Sequence, residues 1–190
     1  MATSKPRVLE IGTGSGRNFC ALLRAGLEVT ALDESAERVC GLRHQFPDQR
    51  ENLLCTAYSH LPIPADSYDA VLSTHALLHD LPERVRSVVA EFGRILKLGG
   101  HAYFTLGSKR DSRFGVGAQI GHETFTPQTG DEQGVPHSYF DEAGVRNLLR
   151  RFALIELAEH SVDDIAGRWA HASAPLRGAV HWFVIIRKSS

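Results

Sequence analysis

Two rhythms of apolar residues alternate along this chain: short unbroken runs, and longer stretches in which apolar positions recur every three or four residues. Arg7-Val8-Leu9-Glu10-Ile11 is a short run stopped by Gly12, as a buried parallel strand would be. From Gly16 to Ala25, Phe19, Leu22 and Leu23 share one helical face, and Gly26 ends the stretch with a residue free to take positive φ. Leu27 to Leu32 reads as a second strand. Ser35 then caps a helix carrying Val39, Leu42 and Phe46 until Pro47 stops it. Short strands follow at Asn52 to Cys55 and Asp69 to Ser73. The clearest helix carries Val85, Val88, Val89, Phe92, Ile95 and Leu96 as one stripe, with Gly99-Gly100 as its expected stop. His101 to Leu106 is a fifth strand. Asp141 caps a helix with Val145, Leu148 and Leu149, and two late strands lie around Ala153 to Leu157 and Val180 to Arg187.

Strands alternating with helices predict an α/β fold, a mainly parallel sheet covered on both faces. The two late strands have no clear helix between them, so one of them is expected to run antiparallel at the sheet edge. Residues 107–139 show neither rhythm and are rich in Gly, Ser, Asp, Thr and His. Loops of this length in compact domains are usually functional or disordered. Phe114, Phe125, Tyr139 and Phe140 give this one something to bury, so it is expected to be a substrate-side lid within a single domain spanning residues 1–190.

Composition narrows the function classes. With 43% hydrophobic and 23% charged residues and a formal net charge of −1, the chain is globular and has no overall pull toward nucleic acid or anionic membrane. No apolar run is long enough to span a bilayer, and the first residues lack a signal-peptide core. Cys20, Cys40 and Cys55 are too widely spaced for a metal-ligand motif and read as buried thiols of a reducing compartment. A cytoplasmic protein is expected.

The candidate chemistry lies in Glu10-Ile11-Gly12-Thr13-Gly14-Ser15-Gly16-Arg17-Asn18. A glycine-rich turn between strand and helix lets a ligand approach the backbone at a helix N-terminus, where unpaired N–H groups await an acceptor. Gly12 permits the sharp turn, Gly14 removes a side chain where a ligand crosses, and Gly16 allows tight helix–strand packing. The dinucleotide fingerprint needs its third glycine where Arg17 stands, and the phosphate loop needs a Gly-Lys-Ser/Thr that is absent. Asp33 ends the second strand, where a carboxylate can accept from both ribose hydroxyls.

Glu-x-Gly-x-Gly-x-Gly resembles the first motif of class I S-adenosylmethionine-dependent methyltransferases. The resemblance continues in Leu61-Pro62-Ile63-Pro64-Ala65-Asp66-Ser67-Tyr68-Asp69-Ala70-Val71-Leu72-Ser73 and in Arg94-Ile95-Leu96-Lys97-Leu98-Gly99-Gly100, where proline more commonly stands at Leu98. More weakly, Gly130 to Phe140 resembles a loop in one group of bacterial members of uncertain substrate. The resemblance implies a Rossmann-like three-layer sandwich with a mainly parallel seven-stranded sheet and an antiparallel strand near the C-terminus. It implies S-adenosyl-L-methionine as cofactor, held by Glu10, Gly12, Thr13, Gly14, Gly16 and Asn18, by Asp33, by the Ala57–Tyr58 turn, and by Ser73 and His75. Ala57 stands where the family often has an acid for the adenine amino group, which leaves the Ala57 N–H or the Tyr58 ring to serve instead. Many relatives also close an N-terminal helix over the cofactor; here the long loop or a homodimer partner is expected to replace it, or the site is unusually open.

Methyl transfer needs a held acceptor, excluded water and, where the acceptor carries one, removal of a proton. His79 and His137 are the candidate catalytic groups on the acceptor side, with His122, Glu123 and Asp131 behind them. His75 and His79 stand four apart, but no third ligand follows at metalloenzyme spacing, so no metal is expected. The expected partner is a small-molecule methyl acceptor, with neither nucleic acid nor membrane. Two other readings are a catalytically inactive methyltransferase-like binding or scaffold domain, and an oxidoreductase on a nicotinamide cofactor. Arg17 argues against the second.

Overall fold

In a computed structural model of the chain, residues 5–130, 132–162 and 178–189 are described. Asp131 and residues 163–177 lie outside that set. The first half follows the sequence rhythm closely: β1 (Arg7–Ile11), α1 (Arg17–Arg24), β2 (Glu28–Asp33), α2 (Ala36–Gln45), β3 (Leu53–Cys55) and β4 (Tyr68–Ser73). Ser35 caps α2 as expected, its hydroxyl accepting the Arg38 N–H at 3.3 Å. The stripe helix is α3 (Pro82–Ile95), with proline in its first turn where a missing N–H does no harm. It ends at Ile95 rather than at the glycine pair. Leu96 already begins β5 (Leu96–Ser108), and Gly99, at φ +80, bends the chain inside that strand.

Parallel pairing gives the order β3-β2-β1-β4-β5. The sheet continues through two late strands, β9 (Ala153–Ser161) and β10 (Val180–Arg187), and counts ten strands in all, three more than expected. β10 lies antiparallel between β5 and β9, so the reversed strand is internal and β9 forms the edge. That corrects the expected edge position. His181, Trp182, Val184 and Ile186 of β10 are all buried, as suits a strand paired on both sides.

The core divides along the sheet. Adjacent β2 residues Ala31 and Leu32 belong to different apolar clusters, because successive strand side chains point to opposite faces. Ala31 packs with Phe19, Val39 and Leu42 of α1 and α2, whereas Leu32 shares its cluster with the α3 stripe. α4 (Glu142–Leu148) joins that second cluster through Val145, and its cap is Asp141, which accepts the Gly144 N–H at 2.8 Å.

Residues 107–139 are more ordered than their composition suggests. β6 (Ala118–Gly121), β7 (Thr124–Thr126) and β8 (His137–Phe140) pair antiparallel in turn, and β8 joins the end of β5 in parallel. Strands of three or four residues are too short for alternation to register, and all four residues of β8 are buried. Phe114, Phe125 and Tyr139 form an aromatic cluster with centroids 5.4–6.2 Å apart. Phe140 instead joins the main core, where its carbonyl accepts the Trp182 indole N–H at 2.9 Å. Trp182, Phe19 and Phe92 are buried in the core, and Phe183 is half-buried. Cys40 and Cys55 are exposed and Cys20 half-buried, which corrects the expectation of buried thiols. Among the described residues no helix is long and apolar enough to cross a membrane.

Candidate active site

The carboxyl ends of β1, β2, β4 and β5 open on one edge of the sheet, the side where ligands bind in open α/β sheets. The glycine turn lies there. Gly12, Gly14 and Gly16 all have positive φ, at +76°, +55° and +81°. A Cβ on Gly12 would stand 2.2 Å from Ala76 Cβ, and one on Gly16 would stand 2.5 Å from Leu42 Cδ2. The first clash fixes the turn under the segment after β4; the second lets α1 settle on α2. The Gly14 N–H donates to Asp33 Oδ2 at 2.9 Å, and the Ser35 N–H donates to Oδ1 at 2.9 Å. Asp33 is only 2% exposed, so the end of β2 and the turn are tied by a buried carboxylate.

Beneath the turn, Glu10 is 1% exposed and accepts from the Thr13 hydroxyl at 3.0 Å. Burial pushes its carboxyl up to about 7, against the Thr13 and Asn18 hydrogen bonds and the Arg17 charge, which pull it down. Asn18 also donates to Thr74 Oγ1 at 2.9 Å, and the Ser73 hydroxyl donates to the Ile11 carbonyl at 3.0 Å, so β4 is tied to the turn twice. Ala57 is exposed. Tyr58 turns inward; its Oη lies 3.5 Å from where a Gly12 Cβ would be, and burial raises its phenol, with the Asp33 charge adding to the effect.

Beyond β4 the chain is bent tightly. His75 sits at φ +58, a left-handed conformation uncommon outside glycine. Its N–H donates to Thr105 Oγ1 at 2.9 Å, and its ring meets His181 edge-on at 4.7 Å. A 3-10 turn at Leu77–His79 then delivers His79 against His137, centroids 4.7 Å apart and planes at 81°. His137 Nε2 lies 3.0 Å from Glu132 Oε2, and His79 Nε2 lies 3.9 Å from Glu132 Oε1. The His137 hydrogen bond, aided by the charges of His79, His137 and Arg113, holds the Glu132 carboxyl down at about 2 despite partial burial. The site thus has two halves, a glycine–carboxylate cradle and a histidine–carboxylate cluster, joined by residues 73–79.

A model of the methyltransferase domain matches residues 9–104, half of the chain and the whole of the cradle. The chain belongs to that family. It is a class I S-adenosylmethionine-dependent methyltransferase domain by sequence and by fold. A bifunctional biotin biosynthesis protein of Cellvibrio japonicus is 36% identical over 104 residues, 54% of this chain and 20% of the relative. An uncharacterised methyltransferase of Mycobacterium tuberculosis (strain H37Rv) is 35% identical over 115 residues, 60% of this chain and 45% of the relative. The chain thus spans less than half the length of either curated relative. Among solved structures, a SAM-dependent methyltransferase of Methanosarcina mazei superposes with TM-score 0.79 at 20% identity, covering 98% of this chain and 93% of that one. A Burkholderia thailandensis 1,6-didemethyltoxoflavin N1-methyltransferase, with that compound and S-adenosylhomocysteine bound, gives TM-score 0.69 at 18% identity, covering 98% and 72%.

In this methyltransferase domain the residues expected in the cradle, Glu10, Gly12, Thr13, Gly14, Gly16 and Asn18 with Asp33, Tyr58, Ser73 and His75, come together at one edge, and Ala57 is exposed next to Tyr58. The two expected catalytic histidines meet on the other side of the bend. His122 is largely exposed, and Glu123 pairs with Lys109, away from that cluster. Sequence reasoning missed Glu132, although it stands in the quoted segment Gly130 to Phe140. It also missed a buried group behind the histidines. Asp111 is clamped by Arg113 at 2.8 and 2.7 Å and accepts the Val180 N–H at 3.1 Å. His181 is pushed down to about 4 by burial and the Arg113 charge, so it is neutral at pH 7. No motif marks these residues; only strand pairing brings β10 beside β5.

Proposed function

We propose that this protein transfers a methyl group from S-adenosyl-L-methionine to a small-molecule acceptor held beside His79 and His137. The observation that carries the reading is the cradle: a turn that tolerates no Cβ at Gly12, closed by the buried carboxylate of Asp33. A carboxylate offers about four acceptor positions, and the Gly14 and Ser35 N–H groups use two, so Asp33 retains capacity for two ribose hydroxyls. The N-terminus of α1, with Gly14 and Gly16, suits the cofactor's carboxylate, and Glu10 suits its ammonium group. Tyr58 would line the methionine side of the cleft, and the exposed Ala57 N–H would be left for adenine. When bound, the cofactor supplies an electrophilic methyl group on a sulfonium, open to in-line attack by an acceptor lone pair.

The chain's own residues do the rest. Residues 73–79 carry the chain from the cradle to the acceptor side, and the strained His75 bend sets where His79 stands. His79, partly exposed, takes the acceptor's proton, while Glu132 and the buried His137 orient it. The aromatic cluster under β6–β8 acts as the wall that excludes water. A small acceptor is favoured by the near-neutral chain, and by the fold neighbour that holds 1,6-didemethyltoxoflavin.

Calorimetric titration with S-adenosylhomocysteine tests the reading, followed by transfer of a labelled methyl group to a panel of small hydroxy, amino and thiol compounds. A folded protein that does not bind the demethylated cofactor ends it. Alanine at His79 is expected to lower turnover about 100- to 10,000-fold, the range of general acid–base catalysis, and to leave cofactor affinity unchanged.

Glu10 makes the cofactor affinity depend on pH. Its folded-state value near 7 lies above the ordinary 4.5, so the carboxyl is protonated in free protein at pH 5. Binding the ammonium group requires the carboxylate. Affinity for S-adenosylhomocysteine is therefore expected to rise by up to about tenfold per pH unit between roughly 5 and 7, then level off. Stability of the free protein runs the other way. The contribution of a raised acid is complete below pH 4.5 and is lost as pH climbs through 7. Both slopes should flatten in Glu10→Gln; an affinity profile unchanged by that substitution removes Glu10 from the cofactor site.

A further inference from the structure

The acceptor-side cluster has the donor set and spacing of a cation site. His137 is buried, and its Nδ1 faces the Val135 carbonyl at 3.0 Å. A carbonyl oxygen has no proton to give, so Nδ1 carries the hydrogen and donates it. The His137 Nε2 faces Glu132 Oε2 at 3.0 Å. His79 converges on the same place, and one donor atom from each of His79, Glu132 and His137 lies within 4.8 Å of the other two.

The spacing fits a metal. Bonds of about 2.0–2.2 Å in tetrahedral array put neighbouring donors about 3.4 Å apart. Here His137 Nε2 stands 3.0 Å from Glu132 Oε2 and His79 Nε2 stands 3.9 Å from Oε1, so the two imidazoles face one carboxylate, each at close to that range. Metal-binding histidines typically donate their second ring N–H to a carbonyl or carboxylate, which fixes the tautomer, and the Val135 carbonyl does this for His137. The nearby Arg113 does not take the place of the cation, because its guanidinium is engaged two-fold by Asp111.

We propose that His79, Glu132 and His137 form a binding site for a divalent transition-metal ion of the zinc type, with its remaining positions left for water or an acceptor heteroatom. Two imidazoles and one carboxylate suit zinc, cobalt or ferrous iron and are a poor set for magnesium. The proposal rests on the acceptor-side reading above; a bound ion would engage the His79 lone pair and so replace proton transfer to His79, selecting acceptors with a hydroxyl or thiol and favouring their deprotonated form, with the proton released to solvent. Sequence spacing hid the site because His79 lies far upstream of the other two ligands.

The test uses the full chain after chelator treatment and dialysis. Cobalt(II) is titrated with visible absorption as readout, zinc is titrated by calorimetry, magnesium serves as control, and S-adenosylhomocysteine is titrated into the same samples. One equivalent of zinc or cobalt at micromolar or tighter affinity is expected, with a ligand-field band absent for free cobalt. Glu132→Gln and His79→Gln, both at partly exposed positions, should each weaken binding at least about tenfold while circular dichroism stays native. His137 is avoided because its burial makes unfolding the expected result of replacing it. Protein that binds S-adenosylhomocysteine but gives neither band nor heat overturns the metal site alone. Metal binding that survives both substitutions also overturns it, since the ion is then held elsewhere. Metal binding lost in both variants, without any cofactor binding, would uphold the site and remove the cofactor reading.

Discussion

Asp33→Ala is expected to weaken S-adenosylhomocysteine binding by about 10- to 150-fold, the equivalent of roughly 1.5–3 kcal/mol for hydrogen bonds to a charged group. The effect has two sources. The carboxylate is the proposed acceptor for the ribose hydroxyls, and it also holds the turn that receives the rest of the cofactor. Without it the Gly14 and Ser35 N–H groups lose acceptors at 2.9 Å, and Arg38, 3.8 Å away, loses its partner. Asp33→Asn separates these contributions. The amide oxygen can still accept one N–H but brings no charge, so an intermediate affinity is expected. Calorimetry on the two variants beside the wild type decides the matter, and an affinity for Asp33→Ala within about threefold of wild type would remove this carboxylate from the cofactor site.

Gly12→Val should cost more. The residue sits at φ +76, where a β-branched side chain is strained by at least about 1–2 kcal/mol. Its Cβ would meet Ala76 Cβ at 2.2 Å, well inside contact distance, adding about 1–3 kcal/mol of overpacking. A combined loss of about 2–5 kcal/mol corresponds to a melting temperature roughly 5–15 °C lower in a chain of this size. Cofactor binding should vanish, because the displaced segment carries Ser73 to His79. Gly26→Ala is the matched control. Gly26 has φ +81 but nothing within 4 Å of its missing Cβ, so only the backbone term applies and affinity should be preserved. Equal effects on affinity in the two variants would show that the close approach to Ala76 has no special role.

The two experiments address the half of the site that local sequence encodes. A glycine turn between a strand and a helix needs only neighbours along the chain, and each glycine there has a local reason in its φ and in the side chain it would strike. Asp33 was legible for a similar reason: β1 and β2 pair in register, Ile11 against Leu32, so the end of the second strand must lie beside the turn. Tyr58 was legible as a residue of the cleft but not in its direction, since whether its ring turns outward or toward Gly12 is set by packing.

The acceptor side followed different rules. His79 was singled out by its place after β4 and His137 by its position beside the aromatic residues, yet nothing in their spacing said that they meet. Their contact depends on β8 joining the end of β5, through Gly107–Tyr139 and Ser108–Phe140, while β7 pairs on its other side. These strands are too short to leave an alternating signature. Glu132 is a lone acid in a turn, and its position next to two imidazoles is a product of that pairing. The group of buried Asp111 and His181 with Arg113 depends likewise on β10 inserting beside β5, whereas the sequence rhythm placed one of the two late strands, without saying which, antiparallel at the edge.

By itself, then, the sequence determined the strand and helix rhythm, the parallel half of the sheet and the glycine–carboxylate turn, because periodicity, capping and glycine turns are properties of residues close together in the chain. The tertiary structure alone decided where the reversed strand sits, that residues 107–139 form strands, and that His79, Glu132 and His137 share one cluster. Those features come from pairings between distant segments, whose energy lies in buried backbone hydrogen bonds and packing, and such pairings leave almost no local mark.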